Sequence, residues 1–195
     1  MEYLKPNELI DVLAEAKKRG TREHCMFLLA YRCGLRASEI ANLSLDDIQD
    51  GKITVRRLKD SLTTVRRLES HDNVLLDERK ALQAYLRDRG DADGSRMLFI
   101  SREGSGLSRS QVYRLFDDVA YRAGIDKARR HPHILKHSLG AHLVRQNVSI
   151  AYIQKSLGHK HLTSTQVYLG VTDAEANDQA TAALGKAFGP DPLNA

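Results

Sequence analysis

"GKITVRRLKDSLTTVRRLES", residues 51–70, interrupts a helical pattern that otherwise runs the length of the chain. Its β-branched residues alternate with polar and basic ones, which predicts two strands about a turn near Lys59 to Ser61. On either side the apolar spacing is that of helices. Upstream, "PNELIDVLAEAKKRG" sets Leu9, Ile10, Leu13 and Ala16 on one stripe and stops at Gly20. Thr21 can cap the next helix, which runs through "REHCMFLLAYRCG" to Gly34, and a short helix follows in "RASEIANLSLDDI". Downstream, "MLFIS" at 97–101 could supply a third short strand. "SRSQVYRLFDDVAYRAG" then opens with Ser108 and Gln111 at capping-box spacing and places Val112, Leu115, Phe116 and Val119 on one face. The rest reads as helices near 133–146, 149–157, 162–169 and 173–188, with Pro132 suited to a first turn. The expected fold class is mainly α with a small antiparallel β-sheet (α+β). No linker rich in Pro, Gly or Ser precedes residue 189, so residues 1–188 are expected to form one unit with a tail at 189–195.

Charge is distributed in blocks. The chain has 195 residues with 30 Lys or Arg against 25 Asp or Glu. Lys52, Arg56, Arg57, Lys59, Arg66 and Arg67 cluster in the hairpin against Asp60 alone. Eight further Lys or Arg lie between Tyr121 and His161 against Asp126 alone, and the balance turns acidic after Thr172. Two basic blocks in a balanced chain suit a polyanion, or else two solvated faces. Cys25 and Cys33 give neither a disulfide framework nor a C-x-x-C pair, which fits a reducing, intracellular setting. The longest apolar run, "CMFLLAY", is far too short for a membrane span, and the acidic, amphipathic "MEYLKPNELID" does not read as a signal peptide.

Four pieces then ask for a joint explanation. "CGLRASEIANL" puts Arg36 at the head of a helix with Glu39 one turn on, and "RRLKDS" puts Lys59 at a hairpin tip. "HPHILKHSLGAHL" puts His133 and Lys136 at i and i+3, on one helix face. "LGHKHLTSTQVYLG" supplies His159 and, nine residues later, Tyr168. Singly, each has a plain reading: a local Arg36–Glu39 ion pair, a solvated turn lysine, a histidine near a helix start, a half-buried aromatic.

Together and in this order they resemble the catalytic domain of the tyrosine recombinases, the family of phage integrases, chromosome-dimer resolvases and fimbrial inversion recombinases. The resemblance spans about residues 5–188. It implies that Arg36, Lys59, His133, Lys136, His159 and Tyr168 form the catalytic set, with Lys52 a second candidate for the hairpin lysine. Tyr168 would be the nucleophile that forms a 3′-phosphotyrosyl link. The chemistry agrees. A phosphodiester's transition state spreads negative charge that fixed cations and imidazole donors can hold without metal. A phenol of ordinary pKa about 10 needs a neighbouring base, for which His133 is the natural candidate. The leaving 5′ oxygen needs a proton, which Lys59 can give. The chain departs from the family at Lys136, where arginine is usual; lysine offers a point charge in place of a planar fork.

The resemblance further implies double-stranded DNA as partner, no cofactor and no metal. It also implies a tetramer on DNA from a protein that could be a monomer in solution, with the 173–188 helix docked on a neighbour, no membrane association and a cytoplasmic setting. Arg56, Arg57, Arg129, Arg130 and Lys160 are expected to meet backbone phosphates. Many family members carry an N-terminal DNA-clamping domain, so this chain is expected to be either an excised catalytic domain or a minimal recombinase of the fimbrial type. Three alternatives stand beside this reading. His133, His137, His159 and His161 could hold zinc, although no acidic residue lies between Arg129 and His161 to assist. The chain could be a DNA-binding relative without activity, or a topoisomerase-like enzyme using the same tyrosine. His137 and His142 are otherwise expected to be structural.

Overall fold

The computed structural model describes residues 2–57, 61–90, 94–169, 181 and 185. Helices dominate, as expected. Pro6 opens α1 (Pro6–Arg19), where a missing N–H costs nothing, and Glu8 accepts from the Lys5 N–H at 2.7 Å. Its Leu9, Val12, Leu13 and Ala16 are buried. Helix α2 (Thr21–Arg32) is buried all round from Glu23 to Ala30, the mark of a central helix. Gly20, rather than Thr21, takes the position before its first turn; Thr21 instead donates to Asp88 at 2.7 Å. That aspartate belongs to α4 (Glu78–Arg89), a helix the apolar pattern did not announce, capped by Asp77 and anchored by Ala81, Leu82 and Tyr85.

Helix α3 (Ala37–Asn42) leads into a three-stranded antiparallel sheet in the order β1 (Ile48–Gln49), β2 (Lys52–Val55), β3 (Thr64–Arg67). The β2–β3 pair is the expected hairpin, with Ile53 opposite Arg66 and Val55 opposite Thr64. The third strand is not 97–101, which forms only isolated bridges at Met97 and Ile100. Side chains of α4 claim the backbone oxygens there: Tyr85 donates to Leu98 O at 2.9 Å, and Arg89 donates to Met97 O at 2.8 Å. With those oxygens taken by side chains, and Leu98 N–H and Phe99 O paired singly with Leu43 O and Leu107 N–H, the segment builds no continuous ladder.

The C-terminal half consists of α5 (Arg109–Arg122), with the expected Ser108–Gln111 capping box, then α6 (His133–Arg145), α7 (Ile150–Leu157) and α8 (Thr163–Gln166). The main core joins α1, α2, α4 and α5 through residues such as Phe27 and Phe116, whose rings meet edge to face at 5.2 Å. A smaller cluster of Leu139, Ile153 and Leu157 lies between α6 and α7, with Tyr31 and Tyr168 packed against it. The expected 173–188 helix lies outside the described residues. No described helix is long and apolar enough to cross a membrane.

Candidate active site

Arg36 occupies the capping position of α3 in extended backbone geometry. Its own N–H donates to Glu39 Oε2 at 2.8 Å, and its Nη1 donates to Glu39 Oε1 and to Ser61 Oγ, both at 3.2 Å. The ion pair of the plain reading is therefore present, but it positions rather than consumes the guanidinium, whose side chain stays 35% exposed. Burial alone would raise the Glu39 carboxyl. The Arg36 N–H and the positive charges of Arg57, Lys136 and Arg36 outweigh it and hold Glu39 below the usual range.

Arg57 corrects the sequence reading. It does not face a phosphate: its side chain is fully buried beside Glu39. It donates to Cys33 O at 2.7 Å, Gly34 O at 2.8 Å, Glu39 Oε2 at 3.0 Å and Thr64 Oγ1 at 3.2 Å. One guanidinium thus ties the turn before Arg36 to the hairpin. Arg129 is likewise engaged inside the protein, in a two-pronged pair with Glu8 at 2.9 Å to each oxygen. Arg130 donates to Ile125 O and stacks over Tyr121. Arg56, 3.4 Å from Asp47, and Lys160 lie exposed.

The hairpin tip, with Lys59, lies outside the described residues, but its returning arm enters the site. Leu62 N–H donates to Gly158 O at 2.9 Å, and Ser61 bridges to His159. Lys52 sits at the opposite end of β2, across from Arg67 and about 10 Å of strand away from Val55.

Gly158 ends α7 in the left-handed region, at φ 67°, and a Cβ there would fall 2.8 Å from Leu62 O and 2.9 Å from Arg57 Nε. Only glycine allows the turn and the close approach together. The turn delivers His159 into the site, 7% exposed, with Nδ1 2.9 Å from the Oγ1 of fully buried Thr165. Thr165 fixes the ring through Nδ1, so that Nε2 is the nitrogen on its far side. Burial first, then Lys136 and Arg36, lower the imidazole to about 4.

Helix α6 brings His133, Lys136, His137 and Gly140 together. Lys136 is 2% exposed and donates to Leu157 O at 3.0 Å. Burial, then Arg57 and Arg36, push its ammonium down to about 7. His133 is lowered to about 4 by burial and by His137, whose ring meets it edge-on at 4.4 Å.

Tyr168 combines two of the sequence readings. Its ring is half-buried at the edge of the small cluster, and its hydroxyl lies in the polar ring. The phenol plane runs parallel to His159, with centroids 6.4 Å apart. The hydroxyl lies 3.3 Å from His137 Nδ1. Burial raises the phenol to about 12 against the opposing charge of Arg36. Directly beneath the ring, a Cβ on Gly140 would sit 2.6 Å from Tyr168 Cε1.

The sequence reading missed Thr165 and Arg57 as positioning groups and set His137 aside as structural. Of these only His137 carried a signal, its i+4 spacing from His133. His142 is structural: it bridges Tyr31 Oη and Leu4 O, each at 2.9 Å. Among the described residues no group of three or more His, Cys, Asp or Glu gathers as a metal site, and His161 is exposed.

Arg36, Lys136, three imidazoles and a phenol, gathered from four separate segments on a helical scaffold, have the layout of a phosphoryl-transfer centre. Residues 2–175 match the phage integrase family, and the chain belongs to that family, the tyrosine recombinases. It is 38% identical to the type 1 fimbriae regulatory protein FimE of Escherichia coli K12 over 154 residues, 76% of this chain and 74% of that one. It is 35% identical to tyrosine recombinase XerA of Thermococcus kodakarensis over 169 residues, 84% of this chain and 55% of that one. Against the longer recombinases the chain thus spans little more than half their length. The crystal structure of XerA recombinase superposes with a TM-score of 0.76 at 27% identity, covering 94% of this chain and 65% of that one. A pre-cleavage complex of XerH bound to its difH substrate shares the fold, with a TM-score of 0.72 at 19% identity over 91% of this chain and 53% of that one.

Proposed function

We propose that this chain cuts and rejoins duplex DNA at a particular site, holding the 3′ phosphate on Tyr168 between the two steps. The observation that carries the reading is the convergence of Tyr168, His159, His133, Lys136 and Arg36 from α3, α6, the Gly158 turn and the segment after α8: the phenol ring lies parallel to His159 at 6.4 Å, and the charges of Lys136 and Arg36 reach both His133 and His159. Arg36, His159 Nε2 and Lys136 would hold the non-bridging phosphate oxygens, where fixed donors act without reorganisation. Tyr168 attacks phosphorus, and the 5′ oxygen leaves with a proton from Lys59, whose hairpin returns through Ser61 beside Arg36. The phosphotyrosyl link conserves the ester bond energy, so the 5′ hydroxyl can reverse the step with no cofactor and no metal.

Arg56 and Lys160, on the surface, would add backbone phosphate contacts and salt-dependent affinity. Assembly as a tetramer on two DNA sites within the cytoplasm, with the 173–188 segment reaching a neighbouring copy, completes the proposal. Removing residues after 172 should then reduce assembly on DNA more than binding to a single site.

The experiment is denaturing electrophoresis of labelled, nicked duplex. Wild type should leave a protein–DNA adduct that Tyr168→Phe lacks. No adduct from wild type would favour an inactive DNA-binding relative, whereas adduct formation and relaxation without exchange between two duplexes would favour a topoisomerase-like enzyme.

A further inference from the structure

We propose that His137, rather than His133, takes the proton from the Tyr168 hydroxyl during strand cleavage. The inference rests on Tyr168 being the nucleophile and assigns the base that serves it. His137 Nδ1 is 3.3 Å from the phenol oxygen, and this is the hydrogen-bond partner of that oxygen among the described residues. His133 faces the His137 ring edge-on at 4.4 Å instead, one helical turn away. The step balances simply. Neutral His137 carries its hydrogen on Nε2 and accepts the phenol proton at Nδ1. The phenol oxygen bonds to phosphorus, the P–O5′ bond breaks, and the 5′ oxygen takes its proton from Lys59. In rejoining, the imidazolium returns its proton to the departing phenol.

The surroundings favour this role. Among the described residues, the groups that face His137 are His131, His133, Lys136 and Tyr168. Burial, then the charges of His131 and Lys136, keep its imidazole below the usual range. At neutral pH it is therefore unprotonated and ready to accept. His159 is engaged through Nδ1 with Thr165 and presents its ring face to the phenol. His137 thus has the geometry for the proton, and His159 the geometry for the phosphate.

The test uses a nicked substrate with sulfur in place of the 5′ bridging oxygen. A thiolate leaves without a proton, so Lys59 drops out and the rate reports activation of the tyrosine. His137→Gln keeps size and polarity but accepts no proton. It should form adduct about 10²–10⁴-fold more slowly while binding DNA as wild type does. Placing 3-fluorotyrosine at position 168 lowers the phenol pKa and should recover much of that loss. His137→Ala, with imidazole added, offers a second route to the same recovery should glutamine disturb the fold. A His137→Gln rate within about threefold of wild type overturns the inference, as does a loss that neither fluorotyrosine nor imidazole reduces, which would make His137 a structural support. If wild type itself forms no adduct, it is the assignment of Tyr168 that fails.

Discussion

Gly140→Ala separates stability from catalysis at a single methyl group. In α6 an added Cβ would lie 2.6, 2.7 and 2.8 Å from Cε1, Cζ and Cδ1 of Tyr168. Ordinary carbon contacts begin near about 3.5 Å, so the ring must retreat by roughly 1 Å. Helix α6 itself gains from the change, since alanine is favoured over glycine by about 1 kcal/mol in a helix interior. The displaced ring gives back a comparable amount of packing against Leu139, Ile153 and Leu157. The melting temperature should therefore stay within about 4 °C of wild type. Cleavage should not survive as well. A roughly 1 Å misplacement of a reacting atom costs about 10²-fold, or some 2.7 kcal/mol of transition-state stabilisation. Adduct formation on nicked DNA, read by denaturing electrophoresis beside a thermal melt and a mobility-shift binding assay, reports all three quantities. A Gly140→Ala protein that forms adduct within about threefold of wild type would falsify the claim that this helix surface sets the height of the phenol.

The remaining expectations concern Lys136 and Thr165. With its pKa lowered by burial to about 7, Lys136 loses its charge above that pH in the DNA-free protein. Cleavage kcat/KM should therefore fall above about pH 7 in wild type, and Lys136→Arg, charged throughout, should retain cleavage without that fall. An identical alkaline limb in both proteins would remove Lys136 from the reaction. The same group affects folding. Its folded pKa of about 7 lies below the unfolded value near 10.4, so the unfolded chain binds more protons between those values and stability rises with pH across that window. Denaturant titrations at several pH values should show the rise in wild type and its loss in Lys136→Met. Thr165→Val, nearly equal in shape, removes the oxygen that holds His159 Nδ1. It should slow cleavage by about 10- to 100-fold with DNA binding preserved; an unchanged rate would mean that packing alone orients the ring.

Helices α1, α2, α5, α6 and α7 were legible because their apolar spacing and end signals act between residues three or four apart. The Ser108–Gln111 box and the Gly158 turn are of this local kind. The β2–β3 hairpin was legible for a related reason: alternation over a few residues, reversed by one turn. Segment 97–101 misled because its apolar residues are buried as a strand's would be. The side chains that take its Met97 and Leu98 oxygens, Arg89 and Tyr85, come from a helix whose face the sequence did not reveal.

The order of Arg36, His133, Lys136, His159 and Tyr168 along the chain was enough to suggest a family and a reaction, because residue type sets what chemistry a side chain can do. Where each charge ends up was a different matter. Arg57 and Arg129 read as surface cations, and the fold buries the first against Glu39 and pairs the second with Glu8, partners 18 and 121 residues away. The His137–Tyr168 contact spans 31 residues, and the Gly140 floor beneath the phenol spans a similar stretch of chain. A sequence sets local conformation and chemical capacity through neighbours on the chain. Desolvation, pairing and approach to within hydrogen-bond distance depend on neighbours in space, and these only the packed structure supplies.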